Sequence, residues 1–346
     1  MGNMLRVGII GAGTISAYHI RGYQACPEVS VSAICSGHIE TAQSRAEEFG
    51  IPKVYADYRE ILNDPDIDAV SIVTPTFTHR QMVLDALAAG KHVLCEKPPC
   101  LTAGEVEECN RAAEATGKLL MYGFVCRQFG HTRFLKQLAD SGKMGEIYYA
   151  DLNRTKRCIQ RRGWFNDKTK AGGGDLFDGA IHEIDAALYL MGYPKIKSVK
   201  GYTTQIHNAT PYLVAGETPV ERTTESAACA MVTFENGACL RVQSGNAFFT
   251  AEEKCSIELC GTRASAVVQV FKQELKLVTL DENNHLVESS PELDNSNTPH
   301  NRQIAHFVDC CLNGTECIVK PWQAVEVMKL LCAIYESAET GHEIQF

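Results

Sequence analysis

No run of apolar residues in this chain is long enough to span a bilayer, which excludes a transmembrane helix. A Lys/Arg-rich run is missing too. The formal net charge is -9 and the pI about 5.7, so the basic footprint that a phosphate backbone demands is absent, and nucleic acid is excluded as a partner. The densest basic group, Arg154, Lys156, Arg157, Arg161 and Arg162, reads as a solvated or cofactor-facing loop. The 15 cysteines are odd in number, scattered and without a C-x-x-C pair. Neither a zinc site nor a disulfide framework is therefore indicated; they read as reduced core thiols, and no metal is expected. The apolar stretch Val7-Gly8-Ile9-Ile10 is too short for a signal h-region, and Arg6 stands where a myristoylation motif wants Ser or Thr. The expected location is cytoplasmic.

What is present is ordinary globular material: 346 residues, 45% of them hydrophobic, enough for two domains with separate cores. Residues 5–10, 29–35, 69–73, 92–95 and 119–122 read as strands. Residues 14–25, 39–49, 57–62, 78–89 and 102–116 read as the helices between them. This alternation predicts an α/β fold with a doubly wound, parallel Rossmann sheet over residues 1–122. After Gly123 the pattern changes. Helices near 131–139 and 176–190 precede strands at 196–206, 226–234, 238–244, 254–260 and 275–280, which predicts a second α/β domain, 123–346, with a large, mostly antiparallel open sheet. Residues 281–301 read as a polar surface loop, and helices at 301–312 and 322–338 close the chain, the last of them a candidate to pack back on the first domain.

Gly11, Ala12, Gly13, Thr14, Ile15 and Ser16 connect the first strand to the first helix. A G-x-G-x-x-small loop there lets the backbone approach a pyrophosphate at a helix N-terminus; the alternative is a tight turn without a ligand. The second strand ends in Cys35-Ser36-Gly37-His38, without the carboxylate that would hold an NAD ribose. The cofactor expectation is NAD(P), leaning to NADP; Arg45 either assists a phosphate or is a solvated helix charge. Glu96-Lys97-Pro98-Pro99 follows a buried strand, which puts Lys97 at the C-terminal rim of the parallel sheet, where ligands of such sheets bind. Asp178, His182 and Asp185 stand at i, i+4 and i+7, so one continuous helix would project them from a single stripe beside the apolar Ile181, Ile184 and Leu188. A histidine flanked by carboxylates is a proton acceptor near neutral pH. The same residues also suit the polar face of an amphipathic helix.

Taken together these motifs resemble the glucose-fructose oxidoreductase / inositol dehydrogenase (Gfo/Idh/MocA) family. The resemblance runs through the glycine loop, Asp66-Ile67-Asp68-Ala69-Val70, Thr74-Pro75 with His79, Ala89-Gly90-Lys91-His92-Val93, Glu96-Lys97-Pro98 and residues 172–185. It implies a Rossmann domain joined to an open-sheet domain that binds substrate and often mediates homo-oligomer formation. It further implies that Lys97 contacts both substrate and nicotinamide, that the peptide before Pro98 is cis, and that Asp178 and His182 are the family's aspartate and histidine pair. Thr74, Pro75 and His79 match positions lining the cofactor groove, and Glu96 belongs to the same cofactor set. Arg127 and Trp164 match positions near substrate or nicotinamide. Thr76 departs from the Asn of many members, and Ser36 from the Asp of NAD-preferring ones.

The expected activity is hydride transfer between a secondary carbinol of a sugar, cyclitol or related polyol and nicotinamide C4. His182 is expected to act as base, Lys97 to stabilise the alkoxide and Asp178 to orient the hydroxyl or His182. Two rivals share the motifs: an NAD-dependent glycosidase or lyase working by transient oxidation, and a non-catalytic nicotinamide sensor.

Overall fold

A computed structural model of the chain describes residues 4–157, 163–205 and 222–346. Arg161, Arg162 and the last residue of the strand expected at 196–206 lie outside them. The first unit opens β1 (Leu5–Ile10), α1 (Thr14–Gln24), β2 (Val29–Cys35), α2 (Ile39–Phe49), β3 (Lys53–Tyr55) and α3 (Tyr58–Asn63). It continues β4 (Ala69–Ile72), α4 (His79–Ala88), β5 (His92–Cys95), α5 (Ala103–Thr116) and β6 (Leu120–Tyr122). The strands lie in the order β3-β2-β1-β4-β5-β6, and every pairing is parallel. Helical crossovers force that arrangement, and they cover both faces, so β4 is buried at every position. Expected helix starts fall one residue early where the first residue is a cap. Asp57 closes a capping box with Glu60, and Thr102 accepts from the Glu105 N–H.

The second unit holds α6 (Gly130–Asp140), β7 (Ile147–Arg157), α7 (Lys168–Ala171), α8 (Asp175–Asp178), α9 (Ile181–Leu190), β8 (Ile196–Thr204) and β9 (Ala227–Phe234). Then follow β10 (Cys239–Phe248), β11 (Lys254–Gly261), β12 (Ala264–Gln269), β13 (Glu274–Leu280) and β14 (Leu286–Ser289). After α10 (Pro299–Asn313) and α11 (Pro321–Thr340), β15 (Ile344–Gln345) ends the chain. The sheet order is β14-β13-β12-β11-β7-β10-β9-β8-β15; β7 and β10 run parallel and the other pairs antiparallel. Burial alternates along β9 and β12, so one face is covered and the other is not.

The strands β3 and β12 were not expected from the sequence, and other expectations need correction. The strand β7 was not expected, because its inward positions include Arg154, a charge where a strand pattern calls for an apolar residue. The polar stretch 281–301 is not wholly a loop: β14 lies in it, exposed along its length and paired to β13. The compact units also differ from a cut at 122. Residues 297–326 belong with 1–125, and 327–346 with 126–296. The reason is α10, which packs on α1 at Gly22, where a Cβ would come within 2.7 Å of Ile304. Among the described residues no helix is long and apolar enough to cross a membrane.

Candidate active site

In the first unit, β1 delivers the chain into Gly11, whose φ of +108° and whose missing Cβ, 2.6 Å from the Val73 carbonyl if it existed, admit only glycine. Gly13, Thr14 and Ile15 are exposed at the start of α1, while Ser16 is buried and its hydroxyl donates to the Gly13 carbonyl at 2.6 Å. A Cβ on Gly13 would meet nothing within 4 Å. The N-cap has no side-chain cap, and no acidic residue stands in the first turn. Open space beside bare N–H groups at the positive end of a helix fits the pyrophosphate of a nicotinamide dinucleotide.

At the rim of the same sheet, every residue from Val93 to Cys100 is buried except Lys97. Two buried histidines hold the segment that carries it. His19 bridges Ser71 at 3.1 Å and the Glu96 carboxylate at 2.9 Å, and the second Glu96 oxygen accepts the Lys97 N–H at 3.2 Å. The Lys97-Pro98 peptide is cis. His79 has its ring nitrogens 2.8 Å from the carbonyls of Pro98 and Thr74. Burial pushes its pKa down, and the contacts with the two carbonyls oppose that shift. The sequence reading of His79 as a groove-lining residue is corrected accordingly: with no exposed surface, it ties the two rim loops together. Thr74 and Pro75 are half-buried, and the Thr74 hydroxyl meets that of Thr78 at 2.8 Å. Ser36 is half-buried at the end of β2, its hydroxyl accepting the His38 N–H. Arg45 pairs with Glu48 and donates to the Gly13 carbonyl at 3.4 Å.

In the second unit the helix expected at 176–190 is two helices, α8 and α9, interrupted at Gly179 and Ala180. The glycine-rich entry is a packing requirement. A side chain at Gly174 would strike Glu225, and one at Gly179 would strike the Arg154 guanidinium. Glu225 accepts the N–H groups of Gly174 and Leu176, at 2.6 and 3.1 Å, and the Tyr335 hydroxyl at 2.7 Å. It thereby caps α8 from a distant strand connection; burial raises its pKa. Arg154, read from the sequence as part of a solvated or cofactor-facing loop, is buried between Asp175, 3.1 Å away, and Glu183 at 3.0 Å. Burial opposes its charge, but Glu183 and Asp175 outweigh burial and its pKa goes up.

The outcome is sharply selective. From Gly173 to Leu188 every residue is buried except Asp178 and His182. Asp185, expected on their stripe, is fully enclosed, with its carboxylate bidentate to Arg127 at 2.9 and 2.6 Å and bonded to the Tyr193 hydroxyl at 2.7 Å. Arg127 itself is 1% exposed, so its expected place beside substrate is corrected to that of a buried ion-pair partner. Trp164 is half-buried in the turn Gly163–Asn166, stacked on Phe165. Sequence reasoning missed His19, Arg154 and Glu225. Their single residue types carried no signal, since each acts through a partner far away in the chain.

Residues 5–124 match the family described as an oxidoreductase family with an NAD-binding Rossmann fold, and residues 136–346 match its C-terminal alpha/beta domain. The D-glucoside 3-dehydrogenase of Escherichia coli (strain K12) is 31% identical over 99% of this chain and 97% of its own. The scyllo-inositol 2-dehydrogenase (NAD(+)) of Bacillus subtilis (strain 168) is 26% identical over 100% and 97%. A levoglucosan dehydrogenase solved with NADH and L-sorbose superposes with a TM-score of 0.90 at 24% identity, covering 100% of this chain and 99% of that one.

Proposed function

The chain belongs to the Gfo/Idh/MocA oxidoreductase family, and from that premise we propose that it interconverts a secondary carbinol of a sugar, cyclitol or related polyol and the ketone, with NAD(P) as the hydride partner. Bound nicotinamide supplies the hydride acceptor or donor at C4. His182 takes the hydroxyl proton, Asp178 orients that hydroxyl or the imidazole, and the Lys97 ammonium stabilises the developing alkoxide. The observation that carries this assignment is exposure: Lys97, Asp178 and His182 are the side chains left accessible within segments that are otherwise buried. Trp164 offers a ring face to the substrate. Gly11, Gly13, Thr14 and Ile15 receive the pyrophosphate, with Thr74 and Pro75 along the nicotinamide side. The relatives named for a D-glucoside and for scyllo-inositol support the substrate class.

At the ribose end the proposal leans to NADP. Ser36 brings no charge to repel a 2′-phosphate, and Arg45 reaches the glycine loop. The uncovered sheet face, with Tyr202, Cys229 and Met231 exposed on β8 and β9, supports a homo-oligomer, and the scattered thiols support a reducing, cytoplasmic location. The deciding experiment is a panel of sugars, cyclitols and glycosides with each cofactor, following reduced nicotinamide and identifying the product. A ketone formed with stoichiometric reduced cofactor is expected. Release of an aglycone without net reduction would replace the reading with a transient-oxidation glycosidase, and binding without turnover across the panel with a sensor.

A further inference from the structure

The end of α10 carries a cluster that hydride transfer does not use. His306 and Cys310 stand four residues apart on one face of this helix. Gly314 then ends it in the left-handed conformation, φ 68°, its N–H bonded to the Cys310 carbonyl, and the chain turns back to bring Cys317 over the last turn. The donor atoms of His306, Cys310 and Cys317 all lie within 4.8 Å of one another. We propose that His306, Cys310 and Cys317 form a binding site for a thiophilic divalent cation, zinc first, that clips the segment after α10 to the helix.

One donor pair already has the separation that a bound ion requires. Tetrahedral zinc, at about 2.3 Å from sulfur and about 2.0–2.1 Å from nitrogen, holds the two donors about 3.6 Å apart. Cys310 Sγ and His306 Nε2 are 3.5 Å apart. Nε2 also accepts the Ile318 N–H at 3.0 Å, which fixes the tautomer with the proton on Nδ1 and keeps Nε2 as the unprotonated nitrogen. Cation binding replaces that hydrogen bond by a metal–nitrogen bond, and both thiols bind as thiolates, their protons passing to solvent. His306 and Cys317 are half-buried, so water has access to complete the fourth position. A ligand set of two sulfurs and one imidazole selects zinc over magnesium or calcium. The sequence concealed it, because H-x3-C followed by a cysteine across a glycine turn contains no C-x-x-C.

The test uses the reduced, metal-free full-length protein titrated with Co²⁺ and then Zn²⁺. Thiolate-to-cobalt charge-transfer absorption saturating stoichiometrically with the chain, and its displacement by Zn²⁺, are expected. Cys317→Ser abolishes the band, whereas Cys229→Ser, at an exposed thiol of β9, leaves it intact. Zinc raises the Tm of the wild type and not that of Cys317→Ser, which separates lost ligation from lost folding. No cobalt–thiolate band in the reduced wild type, an unchanged band in Cys317→Ser, or a Cys310–Cys317 disulfide as the sole product of the isolated protein would each overturn the proposal.

Discussion

Two sets of ionisable residues on α8 and α9 meet opposite fates within a few residues of each other. Asp175, Glu183 and Asp185 are sealed in the second unit's interior by Arg154 and Arg127, while Asp178 and His182 keep contact with solvent. A carboxylate stands in each set. Arg154 from β7 and Arg127 from the turn before α6 neutralise the first set and enclose it. Buried pairs of this kind are costly to break from one side and nearly neutral to replace as a whole.

The strongest test of the comparison is His182→Ala. Loss of a positioned base should lower turnover about 10²–10⁴-fold, with cofactor affinity by equilibrium titration and the Tm close to wild type. Near-wild-type turnover would return His182 to the structural set. Asp185→Ala should do the opposite. It strands the enclosed Arg127 guanidinium, at a cost of about 3–5 kcal/mol in denaturant unfolding. The double variant Arg127→Met with Asp185→Leu should recover most of that stability, and a loss equal to the sum of the single changes would disprove the coupling.

A smaller effect separates buried from accessible imidazoles. Burial lowers the pKa of His131 to about 4 from its ordinary 6.5. Below pH 6.5 the unfolded chain takes up a proton that the folded one refuses until about pH 4, so its contribution to stability is complete above 6.5 and is lost as pH falls through that window. Midpoints of urea unfolding should decline from pH 6.5 to 4, less steeply in His131→Gln; equal slopes would remove His131 from the account. Smallest of all, Arg45→Ala should weaken NADP more than NAD in kcat/KM, as expected for loss of an exposed charge contact to the 2′-phosphate. An equal effect on both would leave the ribose end to Ser36 and the backbone.

Much of this was legible without coordinates. The strands at 5–10, 29–35 and 92–95 and the helix at 39–49 are found where periodicity puts them, because each buries a continuous local stripe. The glycine loop was legible for a related reason: Gly11 answers a backbone conformation, which is a property of consecutive residues. By itself, then, the sequence determined the Rossmann alternation, the loop that fits a pyrophosphate, and the candidates Lys97, Asp178 and His182. Only the tertiary structure decided that α8 and α9 break at Gly179, that Asp185, Arg127 and His79 are interior, that Arg154 belongs to a strand, and that residues 297–326 join the first unit. Residues 297–326 join it through the packing of α10 on α1, and for the buried polar groups the physical reason is a shared one. A charge is stable inside a protein only where an opposite charge or a full set of hydrogen bonds meets it, and those partners come from parts of the chain that no local window contains.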